Sequence, residues 1–184
     1  MKVLILQGSP RPRGNSSLLC DQFEKGASDA GACVARLNVA GMKVAGCLGC
    51  DACRRGGGSC VQKDDMEAVR DEMLSSDAIV LSSPIYFYSI CSQLKALIDR
   101  TYAFVEELSG KTFYFLITCA APSESYTETM VAALRGFTCC VPSAKEGGIV
   151  IGMGSGKPGD VKASPAFGKA YDLGKECARQ AVGK

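Results

Sequence analysis

The sequence has no histidine. That absence removes imidazole as acid, base, triad partner and metal ligand, and with it Ser-His and Cys-His hydrolase chemistry in its usual form. Excess charge is missing as well: 21 Lys and Arg stand against 19 Asp and Glu, with no long run of one sign. Nothing draws such a chain to a polyanion or a membrane by net charge, so nucleic acid is not an expected partner. Long apolar runs are also lacking. Val3 to Leu6 is the whole apolar stretch near the start, too short for a secretory core, and no segment reaches membrane-spanning length. These shortages predict a soluble, cytoplasmic protein with no membrane partner. With no histidine to do acid-base work, a cofactor can carry the chemistry.

What is present is alternation. Lys2–Gln7 and 33–39 have strand character, as do 77–82, 112–118 and a stretch within 148–153. Between them lie helical patterns: one opening at Asn15 or Ser16, one at Asp64 with Glu67 completing a capping box, a long one from Cys91 to Val105, one from Ser125, and one at Ser164-Pro165. Five strands alternating with five helices imply a parallel sheet with right-handed crossovers, a doubly wound α/β sandwich of flavodoxin-like type with helices on both faces. No linker interrupts the order, so residues 1–184 are expected to form one domain carrying a Gly- and Cys-rich loop at 41–62. A chain of this size buries roughly 70% of the surface its unfolded form exposes, and so needs no disulfides to fold. Ligands of such sheets sit at the carboxyl ends of the strands beside the switch point.

The first of those ends is Gly8-Ser-Pro-Arg-Pro-Arg-Gly14-Asn-Ser-Ser17. Free backbone N–H groups, the positive end of a helix dipole, the hydroxyls of Ser9, Ser16 and Ser17, and the charges of Arg11 and Arg13 suit a phosphate. An ordinary Gly/Pro turn with a helix cap needs neither the arginines nor so many hydroxyls. The end of the third strand, Ser82-Ser-Pro84-Ile85-Tyr86-Phe87-Tyr88, offers a stiff apolar wall with exposed amides, although core packing also explains single aromatics. The fourth ends in Thr118-Cys119-Ala120-Ala121, small residues that permit close approach.

GSPRPRGNSS resembles the mononucleotide phosphate loop of the NADPH-dependent FMN reductase family, SSPIYF resembles its second flavin loop, and QLKALIDR resembles the helix that follows. The resemblance runs from residue 1 to about 180. It implies FMN bound through Ser9, Arg11, Arg13, Asn15, Ser16, Ser17, Pro84, Ile85, Tyr86, Phe87, Thr118, Cys119 and Ala120, with NAD(P)H as electron donor and a subunit assembly, homodimer or homotetramer. Tyr88 departs from the pattern, standing where such relatives often carry glycine.

Eleven cysteines are present, and four of them fall in Cys47-x2-Cys50-x2-Cys53-x6-Cys60. The triple C-x2-C-x2-C run suits one loop wrapping an iron-sulfur cubane, whereas four-cysteine zinc sites usually come as two separated pairs. A vacant thiol loop, a disulfide and zinc stay open at this point. Arg54 and Arg55 stand beside these sulfurs in sequence and favour their deprotonated form. The spacing also resembles the compact cysteine motif of the iron-sulfur flavoprotein branch of the same family, which implies a 4Fe-4S cluster on Cys47, Cys50, Cys53 and Cys60, and a ferredoxin-like protein as a possible electron donor.

Gly154-x-Gly156-x-x-Gly159 matches a dinucleotide fingerprint by letters only, because it follows the last strand and contains Pro158. Asp64-Asp65 is accounted for as a helix N-cap, and adjacent Cys139-Cys140 has no assigned role. The sequence therefore points to an FMN-dependent oxidoreductase passing electrons to a small-molecule or protein acceptor. The rival is an electron carrier of flavodoxin type, against which the near-neutral charge counts, since carriers of that type tend to be acidic for docking. A thiol or metal sensor built on the cysteine loop is a third class.

Overall fold

The computed structural model describes residues 1–180. β1 (Lys2–Gln7), β2 (Cys33–Asn38), β3 (Ala78–Tyr86), β5 (Thr112–Thr118) and β6 (Lys145–Gly152) form a parallel sheet in the order β2-β1-β3-β5-β6, and the two-residue β4 (Ser89–Ile90) pairs antiparallel with the end of β3. Successive side chains of a strand point to opposite faces, and both faces of the central strands β1, β3 and β5 are covered, which is why these three are apolar without alternation. Val3, Ile5, Val80, Tyr114 and Leu116 pack under α1 (Asn15–Asp29) and α6 (Pro165–Arg179). Leu4, Leu6, Ile79, Leu81, Phe113, Phe115 and Ile117 pack under α3 (Met66–Ser75), α4 (Ser92–Arg100) and α5 (Glu128–Cys139). A single turn, α2 (Ala52–Arg55), lies inside the cysteine segment. This is the expected flavodoxin-like three-layer sandwich, with one short antiparallel strand added.

β1 connects to β2 on one side and β3 connects to β5 on the other, so the chain reverses direction across the sheet between β1 and β3. Their carboxyl ends open the crevice that binds ligands in folds of this order. No helix among the described residues is long and apolar enough to cross a membrane.

Several local expectations are corrected. α1 opens at Asn15 as expected, but its cap is the extended backbone of Gly14 rather than a side chain of Asn15 or Ser16. The long third helix ends at Arg100 and continues as two 3₁₀ turns, and α5 starts at Glu128 rather than Ser125, which sits in a 3₁₀ turn. β3 runs on through Ser83–Tyr86, where a loop was expected, and β6 starts at Lys145. Asp64 accepts from the Met66 N–H at 3.2 Å, a cap of sorts, but Glu67 completes no capping box because α3 starts only at Met66. Ser164 caps α6 as expected, accepting from the Ala166 N–H at 3.2 Å with Pro165 in the first turn.

Candidate functional site

The loop after β1 is shaped by two glycines. Gly8 donates to the Ser82 carbonyl at 2.8 Å, and a Cβ there would stand 2.7 Å from Leu94 and 2.8 Å from Cys91, so only glycine lets β1 end this close to β3 and α4. Gly14 donates to the Arg11 carbonyl at 3.1 Å, which closes the turn, and buried Ser9 accepts from the Arg11 N–H at 3.3 Å. Arg11 and Arg13 are exposed on its rim. The first N–H groups of α1, from Asn15 to Ser17, have no carbonyl within the helix to receive them, and they carry the positive end of its dipole. An anion at this point meets unspent donors.

The side chains of α1 are used differently from expectation. Buried Asn15 donates to the Ser155 and Lys157 carbonyls at 3.0 and 2.8 Å and accepts from the Gly159 and Val161 N–H groups at 2.9 and 3.3 Å. Its amide is fully spent in clamping the segment after β6 to the loop after β1. Ser16 and Thr118 share a 2.7 Å hydrogen bond between hydroxyls, which ties the first loop to the third. Ser17 accepts from Arg36 at 2.8 Å, and that guanidinium also reaches Gln7 and Asp21. Arg36 went unnoticed in the sequence because its partners lie 12 or more residues away.

The second loop is a hairpin. Ile85 pairs with Ile90 and Tyr86 with Ser89, leaving Phe87 and Tyr88 as a two-residue turn with φ of 46° and 62°. Positive φ at both central positions is the type I′ geometry, which favours Asn-Gly; bulky side chains there cost about 1–2 kcal/mol each. Phe87 is wholly exposed at the tip, while Tyr88 stacks on Tyr126 at 5.7 Å and 17°. Pro84 and Ile85 are half-buried. Ser83 accepts from the Cys91 N–H at 3.0 Å, which fixes the hairpin to the start of α4. In the third loop Cys119 is buried and both its backbone groups are taken, by the Gly152 carbonyl at 3.0 Å and the Ser155 N–H at 2.8 Å, whereas Ala120 is exposed. The Gly154–Gly159 segment is thus a bracket for the third loop and α1.

Beside this crevice stands the cysteine segment, held at a neck. Lys43 donates to the Asp65 carboxylate at 2.7 Å, Asp65 donates to the Lys43 carbonyl at 3.0 Å, Ala45 donates to Asp64 at 3.1 Å, and Gln62 donates to the Gly46 carbonyl at 3.1 Å. Arg100, 2% exposed at the end of α4, closes the neck by donating to Asp64 at 2.7 and 3.0 Å and to the Ala45 carbonyl at 3.0 Å. Arg100 holds the Asp64 carboxyl below the usual carboxylate range. The N-cap account of Asp64-Asp65 misses this second task. A further tether comes from Arg54, which stacks on Tyr102 at 4.3 Å and pairs with Glu106 at 3.1 Å. Cys47 and Cys50 are exposed, Cys53 and Cys60 half-buried, and all four are free thiols. Among the described residues no three Cys, Asp or Glu side chains stand close enough together to share a metal ion.

Residues 1–146 match the NADPH-dependent FMN reductase family. The chain belongs to that family. It is 36% identical to an iron-sulfur flavoprotein of Archaeoglobus fulgidus over 113 residues, covering 60% of this chain and 51% of that protein. It is likewise 36% identical to an iron-sulfur flavoprotein of Methanocaldococcus jannaschii over 101 residues, covering 55% and 52%. The chain thus aligns with about half the length of these relatives. Among solved structures, an NAD(P)H:quinone oxidoreductase from Methanothermobacter marburgensis superposes with a TM-score of 0.77 at 17% identity, covering 96% of each chain. That likeness concerns the fold, which this FMN reductase family member shares.

Proposed function

We propose that the protein is an FMN-dependent oxidoreductase that takes electrons from NAD(P)H and delivers them to a small-molecule or protein acceptor. The observation that carries this is the convergence of three loops on the β1/β3 crevice, with unspent α1 N–H groups facing one end of it. The residues present fit the cofactor: those N–H groups, Ser9 and the rim charges of Arg11 and Arg13 suit its phosphate, and the hairpin offers its ring an apolar edge at Pro84 and Ile85 with Tyr86 and Phe87 beyond. Bound FMN supplies hydride acceptance and its release as single electrons. The protein's part is to hold the phosphate, set the ring against the hairpin and keep the third loop in register through Asn15, Ser16 and Thr118.

The donor set of the cysteine loop fits an iron-sulfur cubane: four thiols at the expected spacing, no competing imidazole, and cationic Arg100 beside Cys60. We assign Cys47, Cys50, Cys53 and Cys60 as its ligands. Ligation requires the loop to draw its thiols together, a motion that Gly46, Gly49 and the three glycines at 56–58 permit. A cluster there makes a one-electron donor of ferredoxin type compatible with the fold. The eleven unpaired cysteines suit a reducing cytoplasm, and the exposed Phe87 tip suits a contact between copies in a homodimer or homotetramer.

The test is reconstitution with FMN followed by assay of NADH and NADPH oxidation with a quinone or azo-dye acceptor. Turnover supports an enzyme. FMN binding without turnover by either nicotinamide makes the protein a carrier of flavodoxin type.

A further inference from the structure

Arg100 has two N–H groups left over, one on a terminal nitrogen and the one on Nε. Its two terminal nitrogens are engaged by Asp64 and the Ala45 carbonyl, but Nε is buried and meets no acceptor. The Cys60 thiol lies beside the guanidinium, and both line a small cavity of about 70 Å³ shared with Lys63, Arg70 and Phe104. Arg70 repeats the pattern: its terminal nitrogen holds Glu107 at 2.8 and 2.9 Å while its Nε is also buried without a partner. Buried N–H groups are almost always satisfied, so two unpartnered guanidinium Nε groups lining one cavity with Cys60 suit an anionic acceptor there. Thiolate and sulfide sulfur are such acceptors, and hydrogen bonds to them are among the means by which a protein sets a cluster's potential.

We propose that Arg100 is the positioning residue of the cysteine loop: its terminal nitrogens close the loop's neck, and its Nε donates to the anionic sulfur that the loop gathers at Cys60. The second half rests on the assignment of an iron-sulfur cluster to this loop; the first half does not. Because α4 begins at the hairpin, where Cys91 donates to Ser83, and ends at Arg100, the same helix carries both redox sites. A shift at one neck residue is thus felt at a fixed distance from the flavin wall.

Two variants and two readouts test this. Arg100→Lys keeps the charge and removes Nε; Arg100→Met removes both, and Arg135→Met, which deletes an exposed charge paired with Glu146, is the control. In the metal-free protein, hydrogen exchange at the Ala45 amide, whose acceptor is Asp64, is expected to quicken at least tenfold in Arg100→Met with overall exchange elsewhere unchanged. In protein reconstituted anaerobically with iron and sulfide, Arg100→Lys is expected to lower the cluster's reduction potential by a tenfold change in equilibrium, about 59 mV for one electron, and Arg100→Met to lower iron content as well. Should Arg100→Met unfold, Arg100→Lys alone decides the potential. Unchanged Ala45 exchange overturns the clamp, and an unchanged potential in Arg100→Lys overturns the Nε bond. A wild-type protein that takes up no iron overturns the cluster assignment together with the Nε bond, and the exchange measurement still decides the clamp.

Discussion

Phe87 and Tyr88 show what a single residue can hide. Nothing in SSPIYFYS announces a turn, since the type I′ geometry calls for Asn-Gly and the chain supplies two aromatics at φ of 46° and 62°. Strain of this kind, held in place by a hairpin and the Tyr88–Tyr126 stack, is what folds keep at functional positions. Replacing the pair with Asn-Gly is expected to raise the stability of the FMN-free protein by about 1 kcal/mol, measured by urea unfolding, and to weaken FMN binding several-fold. A variant both less stable and equally tight for FMN would show the strain to be without function. Tyr88 as a departure from glycine was legible in the sequence; that its backbone still adopts the glycine-like conformation was not. Asn15 teaches the converse lesson. Its place in the loop after β1 was legible, yet the side chain serves four backbone groups 140 to 146 residues away, and no local pattern reveals such partners.

At the scale of elements, apolar runs and helical stripes located every parallel strand and every main helix. What escaped was how the elements meet. α1 and α6 cross at two glycines: a Cβ on Gly26 would lie 2.0 Å from the Tyr171 carbonyl oxygen and one on Gly174 would lie 2.1 Å from that of Phe23. Gly26→Ala gains about 1 kcal/mol of helix propensity, but must push the helices apart, so a net loss of about 1–3 kcal/mol in urea unfolding is expected. A more stable Gly26→Ala would mean that the crossing is looser than described. The neck of the cysteine loop is the second such meeting. Arg100 keeps the Asp64 carboxyl below its ordinary range, so this pair stabilises the fold fully above the unfolded aspartate pKa of about 3.9 and loses its contribution as pH falls through the lower folded value. The stability gap between wild type and Asp64→Asn should accordingly be constant from pH 5 upward, as unfolding at a series of pH values will show, and shrink in stronger acid. A gap that instead grows in acid would contradict the ion pair. Asp64-Asp65 was visible as an acidic pair, but its partner Arg100 lies 36 residues further on, beyond any spacing rule.

For the whole molecule, the order β2-β1-β3-β5-β6 places the Gly8–Gly14 loop, the aromatic hairpin and the Thr118–Ala120 loop at one edge of the sheet, and the cysteine segment is fastened beside them through α4. The fold follows from composition and alternation alone, and the location of the ligand crevice follows from the fold. The chemistry does not: the chain has no histidine, and the proposed reading leaves the reactivity to bound FMN. The most direct measurement is the absorption spectrum of protein purified without oxygen, with FMN, iron and acid-labile sulfide assayed on the same sample. The account predicts flavin bands from stoichiometric FMN together with a broad shoulder near 400 nm and about four iron per chain, as a cubane on Cys47, Cys50, Cys53 and Cys60 requires. A protein that binds no FMN even when reconstituted with it would contradict the account at its centre.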